Sequence, residues 1–321
     1  MNIPTLMTKL AKLQGHPIPI SSQPAPLDAQ DSVEVPAASA QQIRPSRRGL
    51  RVTRNLEYTP GLRMDVIGHT DGPLRPAILY VPGGGFVRAP KVGGPVLRRH
   101  LAQAGYVVAS IEYRTTMKGA TYRDGVADVH AAVRYLRSNA ARLGIDPARI
   151  ALWGESAGGY LVSMAGLTGE GESRVQAVVN KFGGSDLTLI ASGFDEATVA
   201  ANSGAQTSLA RYVFGPGTGK ALEDDPAANR AADPASHASA DAPPFLLFHG
   251  SDDRIVSPVQ TQLLHSALRT AGADSTRYLI TGAGHGDIAV KGGEEKLWTT
   301  EPMLRLATDF LERALTPAPA R

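Results

Sequence analysis

An α/β fold built on a mostly parallel, twisted sheet is what the sequence predicts, and three observations carry the prediction. Residues 76–81 and 244–248 are continuous apolar runs, the pattern of strands buried on both faces. Between such runs, Val126, Val129, Val133, Leu136, Ala140 and Leu143 recur in steps of three and four, which makes one apolar helix face. The two patterns alternate along the chain, and that alternation implies parallel strands joined by crossover helices on both faces of the sheet.

The elements follow in order. Residues 1–48 are expected to be an arm or linker, since 15–48 are dominated by Pro, Ala, Ser and Gln and cannot bury enough surface to fold alone. Residues 1–13 could form a short amphipathic helix through Leu6, Leu10 and Leu13. The main domain is expected over 49–315, with 316–321 as a flexible tail. It opens with an antiparallel hairpin, residues 51–58 and 62–67, around Thr59-Pro60-Gly61. The strand over 76–81 ends at Pro82-Gly83-Gly84-Gly85-Phe86, whose glycines leave backbone amides uncovered and free to adopt positive φ. A helix over 96–104, a strand over 106–111 and the long amphipathic helix come next.

Residues 149–153 read as a short buried strand, and 157–167, rich in Ala, Leu and Met, as a buried helix. Between them lies Gly154-Glu155-Ser156-Ala157-Gly158, a G-x-S-x-G pattern in which a sharp strand-to-helix turn exposes the hydroxyl at the carboxyl edge of a sheet. A strand over 175–182 leads to a segment of about 188–242 that lacks sustained periodicity. It is longer than an ordinary connection, which favours a cap over an idle loop. Tyr212, Val213 and Phe214 are its most apolar cluster, suited either to line a pocket or to anchor the insertion. The strand over 244–248 runs into His249-Gly250-Ser251-Asp252-Asp253. Ser257, Pro258 and Gln260 have the residue types of a helix start with a capping box. A last strand over 276–281 feeds Gly284-His285-Gly286, and Pro302 opens a final helix.

Composition narrows the partners. Hydrophobic residues at 42% and charged residues at 20% are ordinary for a soluble globular chain. A formal charge of +3 is too small and dispersed for a nucleic-acid surface. The sequence has no cysteine, so disulfides and thiolate metal ligands are excluded. Apolar residues near Lys9 and Lys12 are broken by Thr8, Gln14, Gly15 and Pro17, leaving no signal-peptide core. No run of 18 apolar residues could span a membrane. The expectation is a cytoplasmic protein without membrane or nucleic-acid partners; oligomeric state is not legible, a homodimer being one of the states left open. Gly217-Thr218-Gly219-Lys220 is no phosphate loop, because Ala221 stands where a hydroxyl is required.

A serine hydroxyl is a poor nucleophile until an imidazole takes its proton and a carboxylate holds the imidazole. The sequence places a candidate for each at a strand end, in the order Ser156, Asp253, His285. Asp252 competes with Asp253, Asp287 ranks third, His249 is expected to bond the backbone, and Glu155 to play a local structural or tuning part. Residues 51–315 resemble the α/β-hydrolase esterases, in particular the branch of hormone-sensitive-lipase-like, bacterial feruloyl-esterase and kynurenine-formamidase-like enzymes. The resemblance rests on Pro82 to Phe86, Glu112-Tyr113-Arg114, Gly154 to Gly159, His249 to Asp253 and Gly284 to Gly286. It implies an α/β-hydrolase fold with a small cap, a Ser156–His285–Asp253 triad that selects Asp253 over Asp252, and an oxyanion hole of Gly83, Gly84 and Ala157. It also implies a small-molecule ester substrate and no metal or organic cofactor. Amide, carbamate or peptide hydrolysis on the same triad, or a non-catalytic binding protein, are the alternatives. The chain departs from the family at Pro82, where the oxyanion loop usually carries histidine.

Overall fold

The computed structural model describes residues 18–36, 42–286, 288 and 294–316. The expected helix over residues 1–13, Asp287 and residues 317–321 lie outside these. Among the described residues, β1 (Val33–Val35), β2 (Leu50–Thr59), β3 (Leu62–His69), β4 (Arg75–Val81), β5 (Val107–Ile111), β6 (Ile145–Glu155), β7 (Ala177–Lys181), β8 (Phe245–Gly250) and β9 (Ser275–Ile280) form one sheet. Its order is β1-β9-β8-β7-β6-β4-β5-β3-β2. Strands β1 to β5 across that order run parallel, and the β2–β3 hairpin joins β5 antiparallel. This is the α/β-hydrolase fold.

Period-two alternation divides the strands between two cores. Ala77, Leu79, Val81 and Leu152 face one side. There they meet α2 (Tyr122–Ser138), α3 (Ala157–Thr168) and α7 (Val259–Thr270) through Val129, Val133, Leu161, Val162, Leu264 and Leu268. Ile78, Tyr80, Ala151 and Trp153 face the other. That side is covered by α1 (Pro95–Gln103) and α8 (Glu301–Leu315) through Leu97, Leu101, Leu304 and Leu311. The six-residue apolar stripe is split by Asn139 into α2 and a single turn, Ala140–Leu143.

The segment after β7 carries three short helices, α4 (Glu196–Ser203), α5 (Ser208–Phe214) and α6 (Pro226–Ala232). Asp195, Thr207 and Asp225 each cap one by accepting a backbone N–H. Tyr212 and Val213 are buried in the α2/α3 core, so of their two expected uses they anchor the insertion. One expectation at α7 fails. Gln260 makes no capping box; its side-chain oxygen accepts the amides of Ser185 and Asp186 at 2.7 and 3.0 Å.

The arm contributes more than its composition suggested. Its β1 pairs with β9, the Ser21 amide donates to the Arg254 carbonyl, and the Arg254 guanidinium donates to the Ser22 carbonyl. The Asp195 carboxylate accepts the Ser22 amide at 2.6 Å. These contacts supply surface and partners that the segment lacks by itself.

Candidate active site

β6 lies at the centre of the sheet and runs straight into Ser156, which sits at φ 54°, ψ −122° as the cap of α3. A non-glycine residue pays for positive φ, and here the surroundings leave it no alternative. A Cβ at Gly154 would collide with the Gly158 carbonyl, and one at Gly158 with that of Val81. A Cβ at Gly159 would come within 2.6 Å of Asn180 Oδ1. The motif's glycines thus permit a close approach of β6, α3 and the end of β4. The Ser156 amide donates to the Lys181 carbonyl at 3.0 Å, which fixes the turn to β7.

The loops after β8 and β9 bring the other two residues to this half-buried serine. Ser156 Oγ lies 2.8 Å from His285 Nε2, and His285 Nδ1 lies 2.7 Å from Asp253 Oδ2. The carboxylate oxygen can only accept, so Nδ1 carries the proton and Nε2 accepts from the serine hydroxyl. Asp253 is fully buried. Its Oδ1 accepts the amides of Ile255 and Val256 at 2.9 and 3.1 Å. Burial alone would push this carboxyl up; the imidazoles of His285 and His249 outweigh it and hold the pKa well below the usual carboxylate range. Asp252 sits beside it, half-buried, with its amide bound to the Ala283 carbonyl. His249 bonds the Val256 carbonyl, as expected, and also approaches Asp253 Oδ2 at 3.2 Å.

On the opposite side of the serine stands the glycine loop. A Cβ on Gly83 would lie 2.9 Å from the Glu155 carbonyl and 3.1 Å from Ser156 Cβ. Gly84 has φ 153°, and a Cβ there would run into the Arg88 carbonyl. Among the described residues, the Gly83 and Gly84 amides donate to no protein group; the Ala157 amide, at the first position of α3, has no intrahelical acceptor by position. Pro82 cannot tether the loop through a side chain. Instead the buried Tyr113 hydroxyl donates to the Pro82 carbonyl at 3.0 Å. Phe86 stacks on Tyr212 of the insertion at 4.6 Å and meets Tyr160 edge-on at 5.4 Å.

Several contributors carry no motif that would have singled them out. Phe182, at φ 46°, packs its ring 4.5 Å from the His285 imidazole. Trp298 Nε1 donates to the Gly284 carbonyl. Lys181 pairs with Glu155 at 3.1 Å and lies over both aromatic rings, which gives Glu155 the local part expected of it.

A central strand ending in a strained serine, with histidine and aspartate supplied by the two strand-end loops beyond it, defines the α/β-hydrolase class. The BD-FAE family profile matches residues 66–268, more than half of the chain, and the chain belongs to that family. Esterase LipC of Mycobacterium tuberculosis is 31% identical over 71% of this chain and 57% of its own length. The isoprenylcysteine alpha-carbonyl methylesterase ICME of Arabidopsis thaliana is 27% identical over 77% of this chain and 60% of its own. The chain thus spans about half the length of the curated relatives it matches. A truncated carbohydrate esterase from gut microbiota superposes with a TM-score of 0.72 at 25% identity, covering 85% of this chain and 99% of that one. Among the described residues no helix is long and apolar enough to cross a membrane.

Proposed function

We propose that this protein is a carboxylesterase-type serine hydrolase acting on a small to medium ester. The observation that carries the reading is the continuous hydrogen-bonded chain from Ser156 Oγ through His285 to the buried Asp253. In this mechanism Ser156 Oγ attacks the ester carbonyl carbon as its proton passes to His285 Nε2. Asp253 keeps the imidazole in the reactive tautomer and stabilises the imidazolium. The tetrahedral oxyanion is taken up by the amides of Gly83, Gly84 and Ala157, donors left without protein acceptors where negative charge develops. Collapse expels the alcohol with the proton from His285. Water, deprotonated by the same nitrogen, then releases the acid and regenerates the serine. The names of the relatives support ester chemistry over amide chemistry.

The reading is tested with a panel of p-nitrophenyl esters and a fluorophosphonate probe followed by peptide mapping. Turnover together with a phosphonate adduct on Ser156 is expected. No turnover and no adduct in folded protein would reject the esterase reading in favour of a binding protein.

A further inference from the structure

Arg277 is 1% exposed and, among the described residues, forms no ion pair. A buried cation satisfied by neutral oxygens alone is costly, and hydrophobic side chains would fill the same volume without that cost. Its partners indicate what it does. Nη1 reaches the Asp28 carbonyl, Ser32 Oγ and Gln262 Oε1 at 3.0, 2.7 and 2.6 Å, and Nη2 the Pro258 carbonyl at 2.9 Å. Nε donates to Thr261 Oγ1 at 3.0 Å.

That bond sets a direction. With Arg277 donating to its oxygen, the Thr261 hydroxyl has one proton to give. His249 Nδ1 lies at 3.0 Å and the Pro258 carbonyl at 3.3 Å. At the far side of the ring, His249 Nε2 faces two acceptors, the Val256 carbonyl at 3.0 Å and Asp253 Oδ2 at 3.2 Å. A lone pair there would be repelled by both, so Nε2 must carry the proton and Nδ1 must accept. His249 and Thr261 are fully buried, and burial drives the His249 pKa down, which keeps the ring neutral and this arrangement in force. Asp253 Oδ2 consequently receives an N–H from His249 as well as from His285, while Oδ1 receives two amides. The carboxylate cannot rotate.

We propose that Arg277, Thr261 and His249 are positioning residues, a one-way donor relay that locks the Asp253 carboxylate against His285, and that Asp28 and Ser32 of the N-terminal arm complete it. The proposal rests on the reading of Asp253 as the catalytic acid. It differs from a purely structural network in one respect: the relay acts only through the carboxylate, so its loss costs nothing once that carboxylate is gone.

The experiment compares kcat and KM on p-nitrophenyl butyrate for Thr261→Val, Thr261→Ser, Asp253→Asn and the double variant Asp253→Asn/Thr261→Val, each checked for fold by circular dichroism and thermal melting. Removing the hydroxyl in Thr261→Val is expected to lower kcat about 10- to 100-fold, the range for a lost hydrogen bond in a charged network, with KM within about threefold. Thr261→Ser restores the hydroxyl and recovers kcat to within about threefold. The double variant is no slower than Asp253→Asn alone, because the coupled residues share one route to the reaction. Should Thr261→Val fail to fold, the smaller Thr261→Ala gives the same readouts. A kcat unchanged in Thr261→Val, a folded but inactive Thr261→Ser, or losses that multiply in the double variant would each overturn the relay. A silent Asp253→Asn would remove the acid assignment itself, and the relay with it.

Discussion

On one side of Ser156 the polar groups are saturated, and on the other they are vacant. The two oxygens of Asp253 take two amides and two imidazole nitrogens. Across the serine, the Gly83 and Gly84 amides have no protein acceptor among the described residues, although Tyr113, Tyr212 and Tyr160 hold or pack against the loop that presents them. The saturated side bears a charge that is there before substrate arrives. In the proposed mechanism the vacant side meets a charge that exists only during reaction, and donors already bonded elsewhere would be of no use to it.

Deleting the atom between the two sides has the largest expected effect. Ser156→Ala should lower kcat on p-nitrophenyl esters by about 10⁶ with the melting temperature little changed; steady-state kinetics on purified protein measure it, and substantial residual activity would dismiss Ser156. Breaking the saturated side comes next. Asp253→Asn favours the wrong His285 tautomer and should cost about 10⁴ in kcat, while Asp252→Asn should cost far less. The reverse ranking would reassign the acid.

The vacant side should be breakable without touching the histidine. Gly84→Ala forces a Cβ into the Arg88 carbonyl and displaces the loop, so kcat should fall by about 10² to 10³, the loss of one oxyanion donor. Labelling of Ser156 by a small alkylating reagent, which develops no oxyanion, should be nearly unaffected. Equal losses in both assays would mean that the loop serves the serine and not the oxyanion.

The last effect is on stability and sharpens why the saturated side works. Asp233 is 5% exposed yet receives one amide, that of Leu187, and burial pushes its carboxyl up to about 7. Asp253 is buried more deeply and goes the opposite way, because the His285 and His249 imidazoles face its carboxylate while Asp233 has a single amide and the like-charged Asp186 nearby. For Asp233 the folded pKa lies above the unfolded value of 3.8. The folded state therefore keeps a proton that the unfolded state has lost between about pH 4 and 7, and stability falls as pH rises through that window. Asp233→Asn should gain on the parent at pH 8 relative to pH 4, by roughly 3 to 4 kcal/mol for a shift of that size. Melting curves at the two pH values check it; a gain independent of pH would argue that the carboxyl does not titrate there.

The sequence disclosed most where a residue type is forced by local geometry. Gly154, Gly158 and Gly84 are readable because no side chain fits, and the strands because burial on both faces leaves them uniformly apolar. What it hid depends on partners distant in the chain. Helices α4, α5 and α6 are too short to display periodicity, though their caps Asp195, Thr207 and Asp225 were in plain view. Gln260 has the right residue type for a capping box and is diverted to Ser185 and Asp186. The Phe182 and Trp298 rings beside His285, and the Tyr113 hydroxyl that substitutes for a tether at Pro82, belong to no spacing pattern.

The two margins of the sheet are finished differently, and this bears on how the protein behaves when crowded. β2 ends the sheet with a ten-residue strand, interrupted by a register shift near Asn55 at φ 55° and carrying exposed Arg51 and Arg54. Irregularity and charge of this kind discourage intermolecular strand addition. Among the described residues, the outer edge of β9 has only the three residues of β1 laid against it, with Val33 exposed. Its shielding is thus delegated to a tethered, proline-flanked segment. Displacement of that segment would bare a parallel edge on β9, and the displaced form is the one from which self-association and strand exchange should start.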